Sequence, residues 1–412
     1  MFYFKKPSNP CLLIALALSL SASTQAGQTF EAAIDSGHWT VASTWSPQGV
    51  PGASDSVRIR QNTALFIGAD VTIRDFLVDF DDPQLVQVVP VGGARTLQIN
   101  GTLRNRKGSQ AGWVTAFRGN ASNNGQRLTV NARRVETLDR GGLAFGVHHE
   151  EQTDRPLAGL TVEEEVLIDG GSVLRVFTDG AVARFGSLRF GEGGGRLFMS
   201  FGPDNERDFA IGGLNGGGNN AVIAATSTDH RDSVVNLRLT GSGDYSFGGR
   251  IRSREDGSIF GCIVNLYKEG SGTQRLTGES NFHGNTTVSG GRLIVDGSFQ
   301  REGRVTVTRG GSFGGGGAIG GDLEIRSGGR LIAVAGRTLT VRGQLMLAED
   351  FSVRSLDSGN VNLDAGRHIL IDATVTPFEE LEIQNKGRSQ AAQIAGGRRA
   401  WFEGPGLILV VE

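Results

Sequence analysis

The amino-acid sequence predicts an all-β fold, a right-handed parallel β-helix (β-solenoid) that forms a single elongated domain. Between Lys268 and Leu347, short strands of alternating apolar residues are joined by Gly-Gly turns, and this unit recurs with little more than its polar residues changed. Glycine is very abundant, with 63 residues and no collagen-like period, which is typical of tight turns between short strands. No helical period follows residue 27. Each strand-turn-strand coil must therefore bury one face against its neighbours.

Residues 1–26 have the layout of a secretory signal peptide. Two lysines precede the apolar run 12–20, and small polar residues lead to Ala26. The run is too short to span a bilayer as a permanent helix. We therefore predict cleavage near Gly27, no transmembrane segment in the mature chain, and a protein that is secreted, extracellular or on the outer cell surface.

Cysteine content and charge exclude several classes of protein. Cys11 lies in the predicted signal, and Cys262 is then alone, so core burial and backbone pairing must stabilise the mature chain without a disulfide. The formal charge of −2 becomes −4 when the two lysines of the signal are lost. A nearly neutral chain of this size has no electrostatic footprint for nucleic acid, so no nucleic-acid partner is predicted.

Residues 27–60 are predicted to form an N-terminal cap. The segment contains Trp39 and Trp45 before the first clear strand, 57–59, and it is similar to the openings of secreted β-helical proteins. The end of a solenoid would otherwise expose apolar side chains and unpaired strand edges, which the two tryptophans can cover.

Residues 61–395 are predicted to form the β-solenoid, and residues 396–412 a closing strand that follows Trp401 and Phe402. In the middle of the chain an apolar pair recurs at intervals of roughly 30 residues, each time followed by a second apolar position. The pairs begin at Leu97, Leu128 and Leu160, and the second positions are Leu103, Val135 and Val166. Polar excursions between these positions fit loops on one face of the stack.

The repeat region, 268–347, has a shorter period. The apolar pattern predicts that Val288, Val307, Ile325 and Val341 are equivalent positions of successive coils. Their spacing predicts coils of about 20 residues in this part of the chain.

Residues 268–299 resemble the autotransporter-associated β-strand repeat, also called the passenger-associated transport repeat. The positions that match its pattern are Lys268, Gly270, Gly272, Leu276, Gly278, Asn281, Gly284, Thr286, Val288, Gly291 and Leu293. Residues 305–331 resemble the coil that commonly follows this repeat. The resemblance implies a passenger region of a bacterial surface protein. The sequence shows no series of alternating segments of the kind a transmembrane barrel needs, so we expect a passenger without its barrel.

No motif predicts a catalytic, cofactor-binding or metal site, and no cofactor is predicted. The tetrad 148–151 (His-His-Glu-Glu) would point its neighbouring side chains in opposite directions on an extended chain. Asp79, Asp81 and Asp82 form an acidic turn without the regular nonapeptide repeat of calcium-binding β-helices. Both groups are expected to be solvated loops.

Other polar motifs are also interpreted as structural. Gly315, Gly317 and Gly320 match the spelling of a dinucleotide loop, but no helix is predicted after them. Glutamates 163–165 are predicted to be a solvated strand edge. One further set, Asp229, His230, Arg231 and Asp232, is a candidate for the charged cluster of a polysaccharide lyase. Two aromatic residues, Trp113 and Tyr267, either line a sugar-binding groove or fill a corner of a coil.

These observations favour a secreted or cell-surface β-solenoid with a structural or adhesive function. The sequence alone does not decide whether the protein is an enzyme, although the missing catalytic motif favours a protein without activity. The partner would be an extracellular polysaccharide or a surface protein. The alternative is a carbohydrate-binding or polysaccharide-degrading β-helix protein. Convergent carboxylates and aromatics in a groove would favour the enzyme, and a flat face of Thr, Asn, Ser and Arg would favour the scaffold.

Overall fold

A computed structural model describes most of the chain after the predicted signal. The described residues are 27–79, 86–106, 115–119, 126–149, 152–155, 158–177, 183–200, 206–226, 234–253, 262–299, 302–334, 336–351, 356–357, 367–375, 381–385, 388–392, 399–403 and 408–411. Several of the predicted features lie outside them: the signal (1–26), Asp81, Asp82, Trp113, Glu150, Glu151 and the tetrad 229–232.

The prediction of a parallel β-helix is confirmed. Apart from one 3₁₀ turn at Ala42–Thr44, every regular element of the described residues is a strand. At the N-terminal end the strands are β1 (Thr29–Ala32), β2 (Ser36–His38), β3 (Trp45–Ser46), β4 (Ser56–Ile59), β5 (Thr63–Ile67), β6 (Val71–Ile73), β7 (Asp75–Asp79) and β8 (Val86–Pro90).

The middle of the chain has longer coils, and in three of them one strand bends across a corner. The strands are β9 (Arg95–Arg106), β10 (Thr115–Phe117), β11 (Leu128–Leu138), β12 (Gly142–Phe145), β13 (Val147–His149), β14 (Gln152–Arg155), β15 (Gly159–Ile168), β16 (Ser172–Val176), β17 (Ala183–Phe185), β18 (Leu188–Phe190), β19 (Gly195–Ser200), β20 (Glu206–Ile211), β21 (Leu214–Gly216), β22 (Ala221–Thr226), β23 (Val234–Leu239), β24 (Asp244–Phe247) and β25 (Arg250–Arg252).

The repeat region and the C-terminal segment complete the stack. The strands are β26 (Ile263–Lys268), β27 (Thr273–Leu276), β28 (Thr286–Val288), β29 (Gly291–Val295), β30 (Ser298–Phe299), β31 (Arg304–Val307), β32 (Gly311–Gly314), β33 (Ala318–Ile319), β34 (Asp322–Ile325), β35 (Arg330–Ile332), β36 (Leu339–Leu347), β37 (Leu356–Asp357), β38 (Arg367–Val375), β39 (Leu381–Asn385), β40 (Arg388–Ala392), β41 (Arg399–Glu403) and β42 (Ile408–Val411).

Three parallel sheets run along the stack, and a typical coil gives one strand to each. Sheet 1 contains β6, the first halves of β9, β11 and β15, then β17, β20, β23, β26, β28, β31, β34 and the second half of β36. Sheet 2 contains β1, β4, β7, the second halves of β9, β11 and β15, then β18, β21, β24, β27, β29, β32, β35 and β37.

Sheet 3 contains β2, β5, β8, β10, β12, β16, β19, β22 and β25, and it resumes with β30, β33, the first half of β36 and β38. Between these two runs, the backbone N–H of Asn281 still donates to the carbonyl of Ile251. Among the described strands, antiparallel pairing is confined to the ends and to side hairpins: β1 with β3, β13 with β14, β38 with β41, β39 with β40, and β41 with β42.

Coil length varies along sheet 1. The step between paired residues is long from Leu97 to Val130, and little more than half as long from Val305 to Leu323. Much of the variation lies in the link from sheet 3 to the next strand of sheet 1. That link covers 253–262 between β25 and β26, but only 320–321 between β33 and β34.

The predicted register is confirmed in part. Val288 pairs with Val307, and Val307 with Ile325, as the apolar pattern predicts. Ile325 then pairs with Leu347, however, and Val341 pairs with Ile319 in sheet 3. The predicted equivalence of Ile325 and Val341 is therefore wrong. It failed because β36 crosses a corner without interrupting the apolar alternation.

A similar correction applies in the middle of the chain. Leu97 pairs with Val130 rather than with Leu128, so the predicted alignment is two positions short. Such a shift keeps the same side chains facing inward, and the apolar pattern therefore cannot detect it. The second position, Leu103 with Val135, is confirmed.

The interior is a continuous apolar core along the stack. At its N-terminal end Trp39 and Trp45 are both 1% exposed, and their ring centroids lie 4.9 Å apart. The ring centroids of Trp39 and Phe76 lie 6.5 Å apart in a stacked arrangement, so the two tryptophans extend the core toward the first edge. Cys262 is free and buried, and burial raises the pKa of its thiol to about 11.

Glycines form a column at the corner between sheets 2 and 3 of the repeat region. A Cβ added to Gly278 would lie 2.0 Å from the carbonyl oxygen of Gly249, and one added to Gly297 would lie 2.2 Å from that of Gly278. Gly317 continues the column, with the same 2.2 Å approach to Gly297. Backbones stacked this closely leave no room for a side chain, which explains why the repeat keeps glycine at this corner.

Candidate functional site

The outer face of sheet 1 carries a polar depression over the repeat region. The depression has a volume of about 790 Å³ and is lined mainly by Asn, Thr and Arg side chains. It is built by outward-facing residues at equivalent positions of successive coils. One column holds Tyr267, Thr287, Thr306 and Glu324, and the next holds Asn265, Asn285, Arg304 and Asp322.

Asparagine side chains tie the coils of this face together. Asn265 Nδ2 donates to Asn236 Oδ1 at 3.1 Å, and Asn265 Oδ1 accepts from the backbone N–H of Asn285 at 3.0 Å. Asn285 Oδ1 in turn accepts from the backbone N–H of Arg304 at 3.0 Å. Each side-chain amide therefore forms a hydrogen bond to a neighbouring coil, and these bonds hold the floor of the depression in place.

Tyr267 is the aromatic residue that lines this depression. The guanidinium carbon of Arg238 lies 4.4 Å from the centroid of its ring, a cation–π contact. Arg238 is itself held by Asp208 at 3.0 Å and by Glu269. Of the two alternatives that the sequence left open for Tyr267, the structure shows a groove-lining residue and not a corner filler.

Two carboxylates line the depression, Glu302 and Asp322, and Glu324 lies next to it. Glu302 is exposed and lies 3.8 Å from His283 Nδ1, whereas Asp322 and Glu324 are paired with arginines or with the backbone. Glu324 binds Arg326 at 2.9 Å and Arg304 at 3.4 Å, and the hydrogen bond from Arg326 lowers the pKa of Glu324. Asp322 accepts from the backbone N–H of Gln344 at 2.9 Å. A general acid needs a raised pKa and a free proton. Asp322 and Glu324 are therefore arranged as ion-pair and hydrogen-bond partners, not as an acid and base pair.

Lys268, the first residue of the repeat pattern, points into the core and is 2% exposed. Its Nζ donates to the carbonyl of Gly270 in its own coil and to that of Gly290 in the next coil, the latter at 3.2 Å. Burial lowers the pKa of Lys268 from 10.5 to about 8. The repeat pattern marks this lysine in the sequence, but it does not predict that the side chain closes a corner from the inside.

Lys268→Met is expected to change how stability depends on pH. Between pH 8 and 10.5 the unfolded chain keeps a proton on this lysine and the folded chain loses it. The free energy of unfolding should therefore rise with pH in this window, by up to about 1.4 kcal/mol per pH unit. Urea denaturation across the window should show this rise in the wild type relative to Lys268→Met. A constant difference between the two proteins would contradict a buried, titrating ammonium.

The other candidates that the structure describes are not brought together. His148 and His149 lie in β13 of a side hairpin, and Asp79 ends β7. Gly315 and Gly317 lie in a turn that is followed by strands β33 and β34. Within the described part of the chain, no group of three or more His, Cys, Asp or Glu residues could hold a metal ion. Nor does that part contain a helix that is long and apolar enough to cross a membrane.

Glutamates 163–165 do not form a strand edge, so that prediction is wrong. They lie in β15, which pairs with β11 on one side and with β17 and β18 on the other. Glu164 binds Arg133 and Arg134 at 2.6 Å, and Glu165 binds Arg189 at 2.9 Å. The cluster therefore links coils by ion pairs at the bend between sheets 1 and 2.

The coil that forms this surface is similar to a known repeat of bacterial passenger proteins. Residues 266–295 match the profile of the passenger-associated-transport-repeat, which confirms the resemblance inferred from the sequence. The adhesin BmaC autotransporter of Brucella suis biovar 1 (strain 1330) is 33% identical over 101 residues, which is 24% of this chain. The chain spans about 3% of the length of that relative. No solved structure matches the chain.

Proposed function

We propose, from the passenger-type repeat that the chain carries, that this protein is a secreted or cell-surface β-solenoid with an adhesive function. The observation that carries the proposal is the position of the repeat match, 266–295, in the middle of a continuous parallel stack. A stack of this kind presents a long, rigid lateral surface. The similarity to an adhesin autotransporter supports the same role.

The chemistry of the outer face also supports binding rather than catalysis. Arg304 and Arg326 are paired with Glu324, and most of the other polar groups are hydroxyls and amides that do not titrate. The exposed carboxylate of the depression, Glu302, lies 3.8 Å from His283. Hydroxyls and amides can form hydrogen bonds to a binding partner, and this binding does not require a catalytic group on the protein. Repetition of equivalent side chains at about 4.8 Å from coil to coil suits an extended partner.

A carbohydrate-binding protein on the same scaffold is the second candidate, and Tyr267 favours it. The ring lies in a depression with hydroxyl and amide neighbours, the combination that sugar sites use. The same surface offers less to a degrading enzyme, because Glu324 is held by arginines and Asp322 by a backbone N–H, so neither is free to act as an acid.

A combined binding and cleavage experiment tests the proposal. The purified mature chain would be screened against host-cell surfaces, matrix proteins and a glycan array, and the same preparation would be assayed for release of reducing ends from polysaccharides. We expect saturable binding without release. Release of reducing ends would establish the enzyme instead, and absence of binding to every surface would contradict an adhesive role. Antibody labelling of intact cells tests the surface location.

A further inference from the structure

A second depression, of about 810 Å³, lies on the outer face of sheet 2. Its centre is Ser312, which pairs with Arg292 of the preceding coil and with Arg330 of the following coil. Arg309 reaches the same depression from the turn before β32. Three arginines from three successive coils therefore converge around one serine.

Two of these arginines are free to bind a ligand. Arg292 is already held by Asp357, with both nitrogen to oxygen distances at 2.9 Å. Arg309 and Arg330 are exposed, and neither forms an ion pair with any residue that the structure describes. Asp244, the other acidic residue of the depression, accepts from the backbone N–H of Thr273 at 3.3 Å. Three arginines against two aspartates leave the depression with a net positive charge.

Ser312 lies between the two free arginines. The residue is 5% exposed and lines the depression. A hydroxyl is both a donor and an acceptor. Ser312 can therefore donate to an anion that Arg309 and Arg330 bind.

We propose that this depression binds an acidic polysaccharide, with a carboxylate or sulfate group held by Arg309, Arg330 and the Ser312 hydroxyl. Guanidinium groups match the geometry of such anions. The neighbouring serines and Thr273 can hydrogen-bond sugar hydroxyls. The inference rests on the proposed adhesive function and names its ligand class.

The charge of the protein favours a saccharide over nucleic acid. Binding to nucleic acid relies on many phosphate contacts, whereas this depression offers two free arginines in a chain of formal charge −2. An acidic polysaccharide carries fewer, more widely spaced charges together with many hydroxyls. It therefore fits a small basic centre surrounded by uncharged polar groups.

The test compares the double variant Arg309→Gln/Arg330→Gln with the wild type. The probes are polygalacturonate, which carries carboxylates, dextran sulfate, neutral dextran and single-stranded DNA. We expect the wild type to bind at least one acidic polysaccharide and not dextran, and the double variant to bind it at least about tenfold more weakly, since charge-assisted hydrogen bonds are lost. The preferred acidic polymer distinguishes a carboxylate from a sulfate ligand.

Two further variants separate the effect of this depression from a general effect of charge. Arg140→Gln/Arg184→Gln removes the same charge from exposed arginines elsewhere and should bind like the wild type, whereas Ser312→Ala should weaken binding without the loss of any charge. Equal binding by Arg309→Gln/Arg330→Gln and the wild type overturns the inference, and so does equally tight binding of single-stranded DNA.

Different experimental outcomes would contradict the inference about this depression and the proposed adhesive function. A wild type that adheres to cells but binds neither acidic polymer overturns the inference about this depression and leaves adhesion standing. A wild type that binds an acidic polymer through Arg309 and Arg330 but adheres to no surface overturns the adhesive role alone.

Discussion

Leu293→Asp is expected to destabilise the protein by more than about 4 kcal/mol and to unfold the repeat coils before the rest of the stack. Leu293 is fully buried, between Gln274 of the preceding coil and Phe313 of the following coil. Loss of a buried leucine side chain typically costs about 2–5 kcal/mol, and an unpaired carboxylate in an apolar interior adds to that cost. Chemical denaturation and hydrogen exchange of residues 286–299 would measure the effect.

Ser289→Asp is the matched control for this prediction. Ser289 is exposed in the turn between β28 and β29, so the same charge is introduced nearby without entering the core. Its free energy of unfolding should stay within about 0.5 kcal/mol of the wild type. Equal stability of Leu293→Asp and Ser289→Asp would show that the inward face of β29 has been assigned wrongly.

Gly278→Ala is expected to have the second largest effect, a destabilisation of about 1–3 kcal/mol or more from a single added methyl group. The new Cβ would lie 2.0 Å from the carbonyl oxygen of Gly249 and 2.5 Å from that of Gly248. Both atoms belong to the backbone of the preceding coil, so relief requires the coils to separate. Thermal unfolding followed by circular dichroism would detect the loss.

Gly68→Ala provides the comparison at an open position. A Cβ there would meet nothing within 4 Å, and replacement of glycine by alanine at an unstrained site generally stabilises, by about 0.4–1 kcal/mol. The two substitutions should therefore shift the midpoint in opposite directions. A Gly278→Ala protein as stable as Gly68→Ala would refute the close contact between neighbouring coils.

The architecture could be predicted because its signals are local. Apolar alternation and Gly-Gly turns are each recognisable within a few residues, and they establish that inward and outward side chains alternate throughout the repeat. Val288, Val307 and Ile325 were correctly aligned for this reason. The predicted alignment is wrong at Val341, because β36 passes the corner without a break in the apolar alternation. It is also wrong at Leu128, because a shift of two positions leaves the alternation unchanged.

The candidate sites were less predictable, because they depend on the register between coils. Arg292 and Asp357 are 65 residues apart in sequence, and only the coil lengths between them bring the two side chains into contact. Arg309, Ser312 and Arg330 lie within 305–331, and the resemblance of that segment to the coil that follows the repeat does not mark any of them as a site residue. The repeat pattern identifies Lys268 in the sequence, but an inward-pointing cation contradicts the usual rule that lysine is exposed.

The uneven length of the link from sheet 3 to sheet 1 has a consequence for how such a protein can change. The link is long at one level and minimal at another, while the strands on either side keep their parallel partners. Insertions at this corner therefore leave the hydrogen-bonded ladder intact. A lineage can diversify the segments displayed there, or an engineer can graft a foreign peptide there, without redesigning the rod that carries them.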